Sequence, residues 1–196
     1  MNMKSWIFKL IVAIMAFAIP TECNAINLMP GHFVLQSGGA MGIVSAGTGW
    51  SYGPKNRWET DIFVGFIPKY DSNSAKAIIS LKENFRPWNL RLNDKFNFAP
   101  LTTSLYFTSI PNNRFWIRQP DRYPSGYYIL PTKFRINLSV GQRIEMLLPK
   151  DRTKAKSLTA FYELSTCDLY VLSAFSNKYL KPDDWLQLCI GLRLNI

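Results

Sequence analysis

Large apolar residues alternate with polar or small residues along the last twelve positions of the chain. The apolar positions are Leu186, Leu188, Ile190, Leu192, Leu194 and Ile196. Between them stand Gln187, Cys189, Gly191, Arg193 and Asn195. Because successive side chains of a strand point to opposite faces, this pattern predicts a β-strand over Trp185–Ile196 with one apolar and one polar face. Alternation alone does not say whether the apolar face meets a protein core or lipid.

The same pattern recurs upstream and predicts an all-β chain. In Trp58–Ile67, for example, Ile62 and Val64 share one face, while Glu59 and Asp61 lie on the other. The eight predicted strands are 41–52, 58–67, 77–85, 98–109, 134–145, 157–164, 169–176 and 185–196. The first two are separated by a segment, 53–57, whose Gly, Pro and Asn content is typical of a turn, so they form a tight hairpin.

Charges of both signs stand on the polar faces of these strands, and aromatic residues stand at their ends. The charged residues are Glu59, Asp61, Lys82, Arg135, Arg143, Glu163 and Arg193. Charges of opposite sign can pair inside a closed lumen. The aromatic residues are Trp50, Tyr52, Trp58, Trp88 and Trp185. Rings at strand ends are typical of the interfacial girdles of membrane barrels.

The N-terminus has the layout of a secretory signal. Lys4 and Lys9 precede the apolar run Leu10–Ile19, and small residues end the segment at Ala25. A run of about ten apolar residues suits a signal peptide and is too short to span a bilayer, which takes about twenty. We predict cleavage after Ala25, which leaves 26–196 as one domain. A lipoprotein acylated at Cys23 is the rival hypothesis.

Together these patterns favour an eight-stranded antiparallel up-and-down transmembrane β-barrel in the outer membrane of a bacterium. A soluble periplasmic β-sandwich that binds an apolar ligand is the alternative, because its strands alternate in the same way. Side chains fill the interior of an eight-stranded barrel, so no open pore is expected.

One feature fits this barrel badly. The strand count places the long connection 110–133 at the periplasmic end, where turns are usually short, so either the count is wrong or this loop is unusual.

The formal net charge of +10 has two interpretations. Basic residues are scattered, and export argues against a nucleic-acid partner, so we expect either contact with anionic lipid or glycolipid head groups or a solvated basic surface. After signal cleavage only Cys167 and Cys189 remain, too few for a zinc site or a disulfide scaffold, and we expect both to be unpaired. No metal or cofactor is expected, and no protein partner is indicated.

The order of segments resembles the lipid A deacylases of the outer membrane, eight-stranded barrels that remove an acyl chain from the surrounding glycolipid. The resemblance is clearest where Ala174–Asn177, reading Ala-Phe-Ser-Asn, precedes a loop over Lys178–Asp184 and the terminal strand. This segment is similar to the His-x-Ser-Asn segment of that family. The resemblance implies the barrel fold, and it implies Ser176 as the position of the nucleophile.

The departure from that family concerns catalysis. Ala174 stands where the family has its catalytic His, and a serine hydroxyl needs an adjacent base to become nucleophilic. The single histidine of the chain, His32, lies in the N-terminal segment and is predicted to be a surface residue. We therefore expect a non-enzymatic barrel with a structural, glycolipid-contacting or partner-binding role. The alternative is a lipid A-modifying ester hydrolase that uses Ser176 with an unrecognised base.

Overall fold

Antiparallel strands make up most of the computed structural model, which describes residues 29–69, 75–111, 134–149, 155–176, 179 and 181–196. The strands are β1 (His32–Gly38), β2 (Val44–Tyr52), β3 (Trp58–Ile67), β4 (Lys76–Phe85), β5 (Leu90–Arg91), β6 (Phe96–Ser109), β7 (Phe134–Leu147), β8 (Ser157–Cys167) and β9 (Gln187–Asn195). The helices are two 3₁₀ turns, Gly39–Met41 and Pro54–Asn56, and two α-helices, α1 (Asp168–Ser176) and α2 (Pro182–Trp185). The predicted signal segment lies outside the described residues.

The sheet closes into an eight-stranded antiparallel barrel. β1 pairs with β9 from His32 opposite Asn195 to Gly38 opposite Cys189, which joins the first strand to the last. β4 pairs directly with β6. The two-residue strand β5 pairs only with the first part of β6, beyond the end of β4, so it is not counted among the barrel strands. The predicted antiparallel barrel is therefore confirmed. A single closed sheet also differs from the two packed sheets of the sandwich alternative.

Seven of the eight predicted strands correspond to β2, β3, β4, β6, β7, β8 and β9, but the strand predicted over 169–176 is wrong. The segment 169–176 forms α1 instead of a strand. Asp168 begins this helix, and its carboxylate accepts a hydrogen bond from the Leu169 N–H at 2.8 Å. A carboxylate in the first turn of a helix is favourable, because the backbone N–H groups there carry partial positive charge.

The strand that completes the barrel is β1, which sequence reasoning assigned to a terminal arm. Phe33, Val34 and Leu35 are three apolar residues in a row, so β1 does not show the alternation that marks the other strands. Phe33 and Leu35 nevertheless point outward, and Val34 points into the barrel.

With β1 as a barrel strand in place of 169–176, the long connection 110–133 joins strands at the end of the barrel opposite to the one expected. The chain leaves the fifth barrel strand, β6, at Ser109 and enters the sixth, β7, at Phe134, at the end away from His32 and Asn195. We call that end the loop end and the other the termini end. The loop end carries the connections 39–43, 68–75, 110–133 and 168–186. The termini end carries 53–57, 86–95 and 148–156. The bad fit of the long connection therefore came from the strand assignment.

The barrel has an apolar exterior and a largely polar interior. Val64 is 59% exposed, Leu188 59% and Ile190 56%, in agreement with the predicted outer faces of β3 and β9. The buried polar and charged side chains include Glu59, Asp61, Asn84, Asn137, Ser139, Glu163 and Arg193. Charged residues of globular domains are rarely fully buried unless they are paired, so the polarity of this interior is unusual.

An apolar layer lies in the interior among the buried polar side chains. It consists of Val34, Met41, Phe63, Tyr106, Phe161 and Cys189. Met41 reaches it because the 3₁₀ turn Gly39–Met41 folds into the barrel mouth, where the Gln36 amide donates to Met41 Sδ at 3.1 Å. Gly65 permits this close approach, since a Cβ there would collide with the Met41 carbonyl oxygen. The β1–β2 connection thus narrows the interior at the loop end.

Candidate functional site

The structure brings six of the seven predicted lumen charges into one network inside the barrel. Glu59, Asp61, Lys82, Arg143, Glu163 and Arg193 are each 5% exposed or less. They lie on the inward faces of β3, β4, β7, β8 and β9, which the barrel closure places around one space. Three carboxylates face three cations, so the formal charges of this set balance.

Glu59 is the centre of the network. Its Oε2 lies 2.6 Å from Arg143 Nη1 and 2.6 Å from Arg193 Nη1. A third guanidinium, that of Arg86 at the end of β4, has its Nη2 3.8 Å from Glu59 Oε1. One buried carboxylate therefore joins cations from β7, β9 and the β4 end. Two of these contacts have the short geometry of charge-assisted hydrogen bonds.

A second pair joins this network towards the apolar layer. Lys82 Nζ lies 2.5 Å from Glu163 Oε2, which also accepts from Ser139 Oγ at 2.9 Å. Arg143 Nη2 lies 3.5 Å from Glu163 Oε1, so Arg143 bridges the two acidic residues Glu59 and Glu163. The Lys82 ammonium also lies 5.8 Å from the ring centroid of Phe161, within the range of a cation–π contact.

His32 belongs to the same network, so its prediction as a surface residue is wrong. Its exposed fraction is 0%. Nε2 lies 2.5 Å from Asp61 Oδ1 and 2.8 Å from Arg193 Nη2, and Asn84 donates to Asp61 Oδ2 at 2.8 Å. The physical reason is the register of β1, which sets His32 opposite Gly49 and turns its ring inward. Gly49 leaves the space that the ring and Asp61 occupy.

Arg135 does not join the network. It lies at the start of β7, at the loop end, and is only half-buried. Its Nη1 is 3.9 Å from Asp168 Oδ1, at the beginning of α1. Its position on the correct face of β7 does not bring it near Arg143, because the two residues are separated along the strand.

The five predicted interfacial aromatics are distributed unequally between the two ends. Trp50, Tyr52, Trp58 and Trp88 lie at or near the termini end, and Trp185 alone lies at the loop end. Trp58 packs against Phe85 with ring centroids 4.5 Å apart and the ring planes tilted by 36°. Among the described residues, the predicted girdle of aromatic side chains is therefore nearly complete at the termini end and has one member at the loop end.

Sequence reasoning missed Glu83, which lies on the outer face. Its carboxylate accepts hydrogen bonds from the Tyr52 hydroxyl and from Thr60 Oγ1, which lies 2.5 Å away. Thr60 is the cross-strand partner of Glu83. The alternation of β4 does place Glu83 outward, next to the apolar Leu81, so this signal was available. A charged residue with polar partners near the strand end indicates where the apolar exterior stops.

The hydrolytic site of the alternative hypothesis falls partly outside the described residues. Ser176 is the last residue of α1 at the loop end, and its side chain and that of Ala174 lie outside the described residues. His32 begins β1 at the termini end, so the barrel length separates it from α1. Within the described ranges no three His, Cys, Asp or Glu residues are grouped as metal ligands. Cys167 and Cys189 are free thiols, as expected.

No helix among the described residues is long and apolar enough to cross a bilayer. Comparisons of the chain with protein-family models, with curated proteins and with solved structures gave no match. The functional interpretation therefore depends on the geometry of the barrel.

Proposed function

We propose that this protein is a non-enzymatic β-barrel of the bacterial outer membrane, with a closed interior, that contacts lipid and glycolipid. The observation that carries the proposal is the inverted polarity of the barrel. Apolar side chains such as Phe66, Leu81 and Leu138 are about half exposed on the outer face, while a balanced set of charges is buried inside. Soluble monomers rarely expose contiguous apolar surface on this scale, and lipid is the solvent that such a surface fits.

Strand length and closure support the same proposal. β3 and β4 have 10 residues each, and β2 and β9 have 9, close to the roughly 9–11 residues that a tilted strand needs to cross a bilayer. A closed sheet leaves no unpaired edge in the hydrocarbon. Outer-membrane barrels carry short periplasmic turns and longer extracellular loops, so we assign the termini end to the periplasm.

The proposal of a filled interior follows from its occupants. The network around Glu59 and the apolar layer with Met41 both occupy the interior. An eight-stranded barrel is just wide enough for its own side chains. We therefore propose a structural or lipid-contacting role and no open pore.

Membrane fractionation tests the location. The protein, expressed with its own N-terminal segment in a Gram-negative host, is expected in the outer-membrane fraction, because its exterior cannot be solvated by water. On a denaturing gel the unheated protein should migrate differently from the heated protein, since a closed barrel resists detergent until it is heated. Release with the soluble periplasmic proteins after osmotic shock would contradict the proposal.

A single substitution tests the lipid-facing surface. Ile190→Arg, near the middle of β9, is expected to lower the free energy of unfolding in lipid vesicles by about 2–4 kcal/mol, because it places a charge in the hydrocarbon. The matched control is Leu194→Arg on the same face near the strand end, where the cost should fall to about 0–1 kcal/mol. Urea titrations of both variants provide the measurement. Equal losses of unfolding free energy would mean that both positions face the same surroundings, which would contradict a bilayer centred on the barrel.

A further inference from the structure

The two ends of the barrel differ in charge. In their described parts, the connections of the termini end carry six basic residues and one acidic residue: Lys55, Arg57, Arg86, Arg91, Lys95 and Lys156, with Asp94. The described connections of the loop end carry two basic and three acidic residues: Lys69 and Lys181, with Asp168, Asp183 and Asp184. The six charges of the interior balance, so among the described connections the termini end has a net charge of +5 and the loop end a net charge of −1.

Three of the six basic residues line one cleft at that rim. The cleft has a volume of about 190 Å³ and lies between the β2–β3 connection, which supplies Lys55 and Arg57, and the segment after β4, which supplies Arg86, Trp88 and Leu90. No described carboxylate forms an ion pair with Lys55 or Arg57. These two cations therefore face the cleft without an acidic partner among the described residues.

The cleft is held in shape by bonds between its two walls. The Arg86 N–H donates to the Arg57 carbonyl oxygen at 2.8 Å, and Arg86 Nη2 donates to the Asn56 carbonyl oxygen at 3.3 Å. Arg86 is itself anchored to the buried Glu59. Lys55 and Asn56 have left-handed φ values of 58° and 49°. Such values are unfavourable for residues with a side chain and persist where the surroundings impose them.

Apolar surface adjoins these cations. Trp88 is 56% exposed and Leu90 51% exposed, on the same wall as Arg86. Guanidinium and ammonium groups bind phosphate oxygens through charge-assisted hydrogen bonds. Trp favours the membrane interface, where one side of the ring meets head groups and the other meets acyl chains. A ligand that matches both parts has a phosphate group next to a hydrocarbon chain.

We propose that the cleft lined by Lys55, Arg57, Arg86 and Trp88 binds the phosphate group of an anionic phospholipid in the leaflet at the termini end. The lipid as the source of the phosphate depends on the proposed membrane location. Recognition of a phosphate group does not depend on it. The site would fix one head group at the rim and hold the barrel at a defined depth.

The test uses the full folded chain in an uncharged detergent, so it does not require a membrane location. Calorimetric titrations compare dihexanoyl phosphatidylglycerol, the phosphatidylcholine of equal chain length, and inorganic phosphate. We expect phosphatidylglycerol to bind at least about tenfold more tightly than phosphatidylcholine, because each basic residue near an anionic head group adds to the affinity. Inorganic phosphate is expected to bind weakly and to compete.

Two double variants that each remove two charges from the same rim locate the binding. Lys55→Gln with Arg57→Gln is expected to weaken phosphatidylglycerol binding by about tenfold or more, whereas Arg91→Gln with Lys95→Gln, outside the cleft, should change it by less than about twofold. Heat-dependent gel mobility verifies that all variants are folded. Equal losses in the two variants would overturn the site in favour of diffuse attraction, and equal binding of phosphatidylcholine would overturn recognition of the anionic head group.

The source of the phosphate is decided by the same titrations. Binding of inorganic phosphate without phosphatidylglycerol would overturn the lipid assignment. Selective phosphatidylglycerol binding by a protein that fractionates as soluble would support the site and contradict the proposed function. Outer-membrane fractionation without selective phosphatidylglycerol binding would support the proposed function and overturn the site.

Discussion

Glu59→Gln is expected to lower the free energy of unfolding by about 3–5 kcal/mol, because it removes one partner from a buried ion pair and leaves the other charge uncompensated. Arg143 and Arg193 both lie 2.6 Å from this carboxylate. Arg193 retains Asp61 at 3.3 Å and Arg143 retains Glu163 at 3.5 Å, so we expect a value near the lower limit of that range. Urea unfolding in lipid vesicles, followed by tryptophan fluorescence, measures the change.

Asp94→Asn is the matched control, because it breaks an ion pair of the same chemistry at the surface. Arg91 Nη2 lies 2.7 Å from Asp94 Oδ1, but the two side chains are 68% and 95% exposed. Exposed pairs contribute about 0–1 kcal/mol, so the control should change little. A loss at Glu59 no larger than the loss at Asp94 would mean that water screens the interior charges and that the lumen is not filled by side chains.

Phe63→Ala is expected to destabilise the barrel by a similar amount, about 3–5 kcal/mol, because it removes a buried ring and leaves a cavity that the barrel wall cannot close. Phe63 is 1% exposed and packs in the apolar layer with Met41. Its ring occupies the space opposite Gly47, where a Cβ would lie 2.5 Å from it. The same unfolding titration measures the loss.

Phe66→Ala on the same strand separates the inner from the outer face. Phe66 points outward and is 52% exposed. Removal of its ring leaves no sealed cavity, because the side chain faces the surroundings of the barrel, so the loss should be clearly smaller than at Phe63. A larger loss at Phe66 would mean that the two faces of β3 have been assigned the wrong way round.

Alternation predicted the face of most side chains correctly, because it depends only on the pleat of each strand. β3 has the predicted bounds, and in it Glu59 and Asp61 point inward while Ile62 points outward. Two segments do not follow the alternation. The apolar run Phe33–Leu35 concealed β1, and the segment 169–176, with Val171 and two aromatic residues, was predicted as a strand where the chain forms α1.

The candidate sites depend on contacts that no local pattern contains. The charges of the lumen were identified from sequence, but their partners were not, since Glu59 and Arg143 are 84 residues apart in the chain. The basic cleft joins Lys55 and Arg57 to Arg86 through the pairing of β3 with β4. Its residues belong to two connections, and neither connection has a motif that indicates a binding site.

The sequence by itself determined the class of structure: strands with one apolar and one polar face, charges of both signs on the polar faces, and aromatic residues at the ends. These properties follow from a period of two residues, which is set within each strand. Only the tertiary structure decided that β1 closes the sheet against β9, that His32 is buried beside Asp61, and that the long connection lies at the loop end. Closure and register arise from pairing between distant strands, and that pairing determines which charges meet.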